Sequence, residues 1–491
     1  MGATVTNKTS LAYSVELTPG NLAGSPVWKS AEYNSVPGWG AQIEKVARNP
    51  ISPMRQRQKG GVVDVNSAFQ VETDLTMESI NDYMDGFFFS KWRGQAVFAP
   101  TAVGASAYTV PIGGPTLVAG TLVFARGFTN AVNNGLKVVG AGSTTTSIAV
   151  TGLAVESPTA AQNATVEVSG VQGASADITV NAGGNLTSTT LNFTTLGLIP
   201  GQVCYLGDTG AAFQFATAAD RGWFRIKTVA ANLLTIDKKS AVFAADTGTG
   251  KTIRIFFGRF LANVHVNDAN YQEKTLQFEM AFKNLGVTPG VDEYQYAKGN
   301  YCNEVKISAP LTSKATASFG FVGFDTPPPS TTRASGASAP IQPVQKAMMN
   351  TVSDVGRLRV TNVDETGLTS YIKSMTLMLR NGASPEKAVG YFGGVGMNFG
   401  NIEADIELEG LFTQSETVTA IRDNRTITYD FALKNGDGGL FFDIPAATLE
   451  GGDLSLPVNE TVKIGTKVSA FPDPTLGYSM SLSTFPYIPA S

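Results

Sequence analysis

The stretch NIEADIELEGLF, Asn401 to Phe412, decides the fold. Ile402, Ala404, Ile406 and Leu408 fall on one side of a period-two strand, and Glu403, Asp405, Glu407 and Glu409 fall on the other. Burying the aliphatic side is worth about 1.5–3 kcal/mol per large side chain. Like charges about 7 Å apart along one face must keep their water. The carboxylates therefore face either ordinary surface or a solvent-filled channel.

Working outward, the same pattern occurs earlier in the chain. Phe69, Val71, Thr73 and Leu75 alternate with Gln70, Glu72 and Asp74, and Thr76 is placed to cap a helix whose Ile80, Met84, Phe87 and Phe88 share one stripe. A helical segment, Ser415 to Ile421, likewise follows the opening stretch. Strands at Glu304 to Leu311 and Ala315 to Phe324, joined through Pro310, parallel Leu449 to Pro457 and Val462 to Phe471, joined through Pro457. Further strands are expected at Phe260 to Val266, Leu276 to Phe282, Arg357 to Val360, Tyr371 to Arg380, Thr426 to Leu433 and Leu440 to Ile444. The recurrence points to a mainly β protein with a duplicated β-sandwich or barrel domain, each copy flanked by a helix.

Between the two parts of the first copy, composition shifts to Ala, Gly, Thr and Val. Strand, Gly turn and strand occur around Leu117 to Val150 and again around Leu198 to Asp237, which reads as an inserted all-β decoration of two small repeated modules. The expected division is 1–102, an N-terminal arm and the first part of domain 1; 103–258, the insert; 259–325, the rest of domain 1; 326–352, a linker; and 353–491, domain 2. The Pro-rich run Asp325 to Pro343 cannot pack a core, and composition alone marks the insert as peripheral and dispensable.

Composition narrows the function. At 491 residues the chain exceeds one core; 15% charged residues and 52 Gly suit many short strands and tight turns. A net charge of −4 gives no cationic footprint for gripping nucleic acid. Cys204 and Cys302 read as buried free thiols, and no run is apolar and long enough to span a membrane or lead secretion. His265, the single histidine, is read as a strand residue and precludes a catalytic pair with a second His or a multi-His metal site. Gly248-Thr-Gly-Lys-Thr252 lacks the first Gly and the following helix of a phosphate loop. The carboxylate row has neither the aromatic cleft of a glycosidase nor the Asp/Gly loop of a Ca²⁺ site. No catalysis, cofactor or metal is expected.

The residues resemble the tail tube (major tail) proteins of long-tailed, siphovirus-type bacteriophages. The resemblance rests on Arg48-Asn-Pro-Ile-Ser-Pro53 with Arg55, Arg57 and Lys59, on Phe69 to Thr76 before the helix, on Tyr296 to Phe324, and on Phe442-Asp-Ile-Pro-Ala-Ala447 with Phe471 to Tyr478. It covers residues 40–102 and 259–491 and leaves out the insert. It implies a structural virion protein, made in the host cytoplasm, that stacks in rings to form a tail tube for DNA passage. Implied partners are other copies of the chain and the tape measure, terminator and distal tail proteins, with viral DNA passing transiently. On this reading Glu403, Asp405, Glu407, Glu409, Glu72 and Asp74 line an acidic lumen, and Arg55, Arg57 and Lys59 make arm contacts. Duplication favours a trimeric ring with pseudo-sixfold symmetry over a hexamer. The competing class is a surface-binding, adhesive β-protein using the inserted modules.

Overall fold

The computed structural model describes residues 5–489 apart from 49–50, 52, 54–55, 57, 112–113, 160–161, 240–242, 286–289, 335–337, 363–367 and 369–370. It is mainly β: a 16-stranded antiparallel sheet system carries the body, and a 10-stranded sheet carries the segment inserted in its first half.

Two long strands organise the body. Glu293–Ala309 and Gly438–Ser455 are each too long for one flat sheet, and each carries a register shift where its partner changes, between Ala297 and Asn300 and between Ile444 and Ala447 respectively. Bulges of this kind let one strand serve two packed layers. The first half of Glu293–Ala309 pairs with Leu276–Phe282, which pairs with Thr9–Thr18. The first half of Gly438–Ser455 pairs in the same way with Ile427–Asn435, which pairs with Val355–Asn362. The second halves pair with Thr316–Gly323 and Lys463–Ala470. Those two strands pair in turn with Gly61–Asp74 and Glu403–Leu411, each followed by a short helix, Asn81–Phe88 or Glu416–Arg422. One set of pairings thus occurs twice in the same order.

The two sets meet edge to edge. Glu304 to Ala309 of the first pairs with Met375 to Arg380 of the second, so a single inner sheet runs through both halves. Its apolar face is a continuous rung, Thr73–Ala317–Ile307–Leu377–Ile406–Val468–Leu449, every member buried. One apolar cluster takes residues from Leu11 to Leu482 and includes both helices' inward side chains, among them Ile80, Met84, Phe87, Phe88 and Ala420. The 326–352 stretch does not hang free between the halves. Lys298 and Tyr294 bridge to Asp325 and Ser330, and Arg333 clamps the buried Glu279 carboxylate at 2.7 and 2.9 Å.

Several local expectations shift. Thr76 Oγ1 accepts from the backbone N–H of Glu78 and Ser79 at 3.3 and 3.0 Å, so it caps the turn ahead of the helix, which begins at Asn81 and ends on Phe89 in the left-handed region. The strand at Phe260 stops at Ala262, short of Val266, and leaves His265 in a loop where its Nδ1 accepts from Asn267 N–H. Leu440 to Ile444 and Leu449 to Pro457 form one strand rather than two, because the bulged corner keeps the ladder intact.

Residues 89–275 lie between the first helix and the next strand of its set, where the second set has only residues 423–426. The repeated stretches of this segment share one apolar cluster and, apart from Ser147–Ala149, one sheet, which also takes in Val97–Phe98; Ser147–Ala149 pairs instead with Ala107–Thr109 in a separate three-stranded sheet. Its sheet docks on the body without a polar gap. Trp223 packs on Phe441 and Phe485 with ring centroids 4.8 and 5.3 Å away. Beside it Arg225 reaches Asp443 at 2.7 Å, and Lys238 reaches Asp430 and Asp443 at 2.9 and 3.3 Å, all with side chains 6% exposed or less.

Candidate functional site

The polar face of the inner sheet is built by register alone. Residues directly opposite in antiparallel strands point the same way, so the pairings Ser35–Glu72–Ser318–Lys306–Met378–Asp405–Ser469–Thr448 define one rung across eight chain segments on one face. Asp74 and Glu407 share a neighbouring rung through Thr316, Ser308 and Thr376. The acids expected to be functional in the two halves are therefore brought to one face of one sheet, four strand steps, roughly 19 Å, apart.

Individual environments differ. Glu403, Glu407 and Glu409 are exposed, while Asp405, Glu72 and Asp74 are half-buried. Asp405 lies 3.0 Å from Lys467 and accepts from Ser469 Oγ at 3.1 Å, and Lys463 lies 3.4 Å from Glu409. Glu72 accepts from Ser35 Oγ. Asp74 accepts from Asn34 at 2.6 Å and lies 2.7 Å from Lys314. Burial works against the Asp74 charge, but Lys314 and Asn34 outweigh it and hold the carboxyl below its ordinary value. The hydrogen bond to Asp405 raises the Lys467 ammonium above its own.

Sequence periodicity missed the cations on this face. Lys306, Arg380 and Lys467 stand on the same rungs as the acids, Lys463 stands on the same face one rung beyond Glu409, and Glu304 and Glu450 join the acids. The signal is present in the sequence, since Lys463, Gly465, Lys467 and Ser469 alternate with Ile464, Thr466, Val468 and Ala470, of which Ile464 and Val468 are buried. The face is acidic on balance, with most cations tied to a carboxylate. Of the expected arm contacts, Lys59 is exposed in the loop joining Ala41–Val46 to Gly61–Asp74; Arg55 and Arg57 lie outside the described residues. Among the described residues no group of three or more His, Cys, Asp or Glu side chains could hold a metal ion.

Residues 228–462 match the family of phage tail tube proteins. This part of the chain belongs to that family. The matched stretch runs from the last strands of the inserted sheet through the acidic strand to the tip before Lys463–Ala470. No curated protein matches the chain significantly. Tail tube proteins are structural rather than enzymatic, assemble into a tube with other tail proteins, and are part of the virion; this holds for the present chain. No helix is long and apolar enough to cross a membrane.

Proposed function

We propose that the tail tube protein assembles as stacked rings of three chains in a long-tailed, siphovirus-type tail, with the polar face of the inner sheet lining the channel through which viral DNA passes. The observation that carries this reading is the repeated set of pairings, which gives each chain two tube-domain equivalents joined edge to edge. The segment 103–258 then decorates the outside. The tape measure, terminator and distal tail proteins are the neighbours such a tube requires.

Dimensions favour three chains. With eight segments per chain on a rung, three chains supply about 24 strands, which at ~4.8 Å spacing and ordinary barrel tilt close a wall roughly 40–50 Å across between backbones. Side chains leave room for a DNA duplex about 20 Å wide. Six chains would double the wall and leave the duplex loose.

The lining suits a moving polyanion. Carboxylates repel phosphates, and lysines such as Lys467 and Lys463 are held by Asp405 and Glu409 rather than free to neutralise a phosphate. Cross-section averages of purified tubes by electron microscopy test the proposal. Three outer projections per ring support it, six refute the trimer, and monodisperse single chains without tubes would favour an adhesive β-protein.

A further inference from the structure

At the internal junction, six consecutive pairs from Glu304↔Arg380 to Ala309↔Met375 join the last strand of one set to the first strand of the next. The second set ends on the equivalent strand, and there the edge is open. Ile427–Asn435 covers one side of Gly438–Ser455 only as far as Ala447, and Lys463–Ala470 covers the other side from Ala447 on. From Thr448 to Ser455 one edge therefore has no paired strand among the described residues, and Glu450, Asp453 and Leu454 are exposed.

The matching edge lies at the start of the chain. Where the second set places Ile372–Arg380 beside its acidic strand, the first set places residues 34–37 of the N-terminal arm. Asn34 N–H donates to Glu72 O at 2.7 Å, Glu72 N–H to Ser35 O at 3.0 Å, and Gln70 N–H to Pro37 O at 2.9 Å. Val36 turns its N–H and C=O the other way, and neither has a backbone partner among the described residues. An open edge of this kind must be paired or blunted.

We infer that the open edge Thr448–Ser455 of one chain pairs with the outward edge Asn34–Pro37 of a second copy, so that a ring alternates two kinds of seam. This rests on the tube reading above. The seam within a chain is the regular ladder of six pairs. The seam between chains is weaker, because Pro37 offers no N–H and the partner strand is bulged between Gly451 and Asp453. The arm segment, rather than a body strand, thus sets the strength of assembly.

Cysteine cross-linking tests the inference. Ser35→Cys is combined in turn with Thr448→Cys, Glu450→Cys and Asp453→Cys, all on the polar face. Within one chain Ser35 and Thr448 stand seven strand steps apart, roughly 34 Å, too far for a disulfide. Cys204 and Cys302 are buried and do not compete. Oxidised tubes of at least one pair should run on denaturing gels as a ladder ending at three chains, while each single variant stays monomeric. Absence of cross-links in all three pairs, in variants that form tubes by microscopy, overturns the seam and leaves the tube reading intact. A ladder ending at six keeps the seam and overturns the trimer.

Discussion

The Arg225 guanidinium lies 2.7 Å from the Asp443 carboxylate, across the boundary between the inserted sheet and the tube body. Asp237 takes the other edge of Arg225 at 3.0 Å, Lys238 bridges Asp443 and Asp430, and Arg357 closes Asp430 from the far side at 3.0 Å. Burial opposes the Arg225 charge, but Asp443 and Asp237 outweigh it and raise its pKa. Removing Arg225 leaves the buried Asp443 carboxylate with Lys238, 3.3 Å away and shared with Asp430, as its remaining counterion, so the cost is a part of the about 3–5 kcal/mol of a fully unpaired buried charge. Arg225→Met should therefore lower the thermal midpoint by several degrees. Lys463→Met, which breaks a pair with an exposed Glu409, should change stability by about 0–1 kcal/mol. Calorimetry of both variants checks the contrast, and equal midpoints would contradict it.

The same cluster predicts an acid limit. Burial pushes the Asp430 carboxyl up, yet Lys238 and Arg357 pull it further down, so its folded value lies below the ordinary 3.8. A carboxyl depressed by folding contributes stability that is present above 3.8 and is lost as pH falls through the folded value. Thermal midpoints should stay level from neutral pH down to about pH 4 and drop below it. Asp430→Asn should start lower and show a shallower acid drop. A parallel drop in variant and parent would remove Asp430 from the account.

Docking by buried contacts also changes the expectation for the inserted segment. Joining Pro100 to Arg259 removes Trp223, Arg225 and Lys238, exposing Phe441 and Phe485 and leaving Asp430 and Asp443 without Lys238 and Arg225. The shortened chain should be recovered in aggregates rather than in soluble form, despite a body core that is otherwise complete. Soluble, tube-forming material in a sedimentation assay would restore the view, suggested by composition, that the segment is dispensable.

What the sequence revealed follows from the range of each interaction. Glu403 to Glu409 were legible as one face because period-two alternation is local, and the same holds for Glu72 and Asp74. That Lys306 faces Met378 was not legible, since strand register between distant segments depends on the whole sheet. Arg225 and Lys238 look in sequence like outward polar residues of short strands. They are buried only because Asp443 and Asp430, some two hundred residues later, cover them. The helix after Thr76 was legible in its apolar stripe but not in its start, because the cap is spent on the preceding turn.

The charge of the lining makes the last prediction. Glu403 and Glu407 are exposed on the polar face and form no ion pair among the described residues, so replacing them leaves the Asp405–Lys467 and Glu409–Lys463 pairs in place. Glu403→Lys with Glu407→Lys should keep tubes intact while placing free ammonium groups where phosphates pass. Each phosphate neutralised adds about one counterion-release step, so binding should weaken steeply as salt rises. Purified variant tubes should retain short duplex DNA at low ionic strength and release it at higher salt, whereas parent tubes retain none at either. Virions carrying both changes should eject DNA more slowly. If variant tubes retain no more duplex than the parent at low salt, these residues do not face the channel and the polar face of the inner sheet lies elsewhere in the tube.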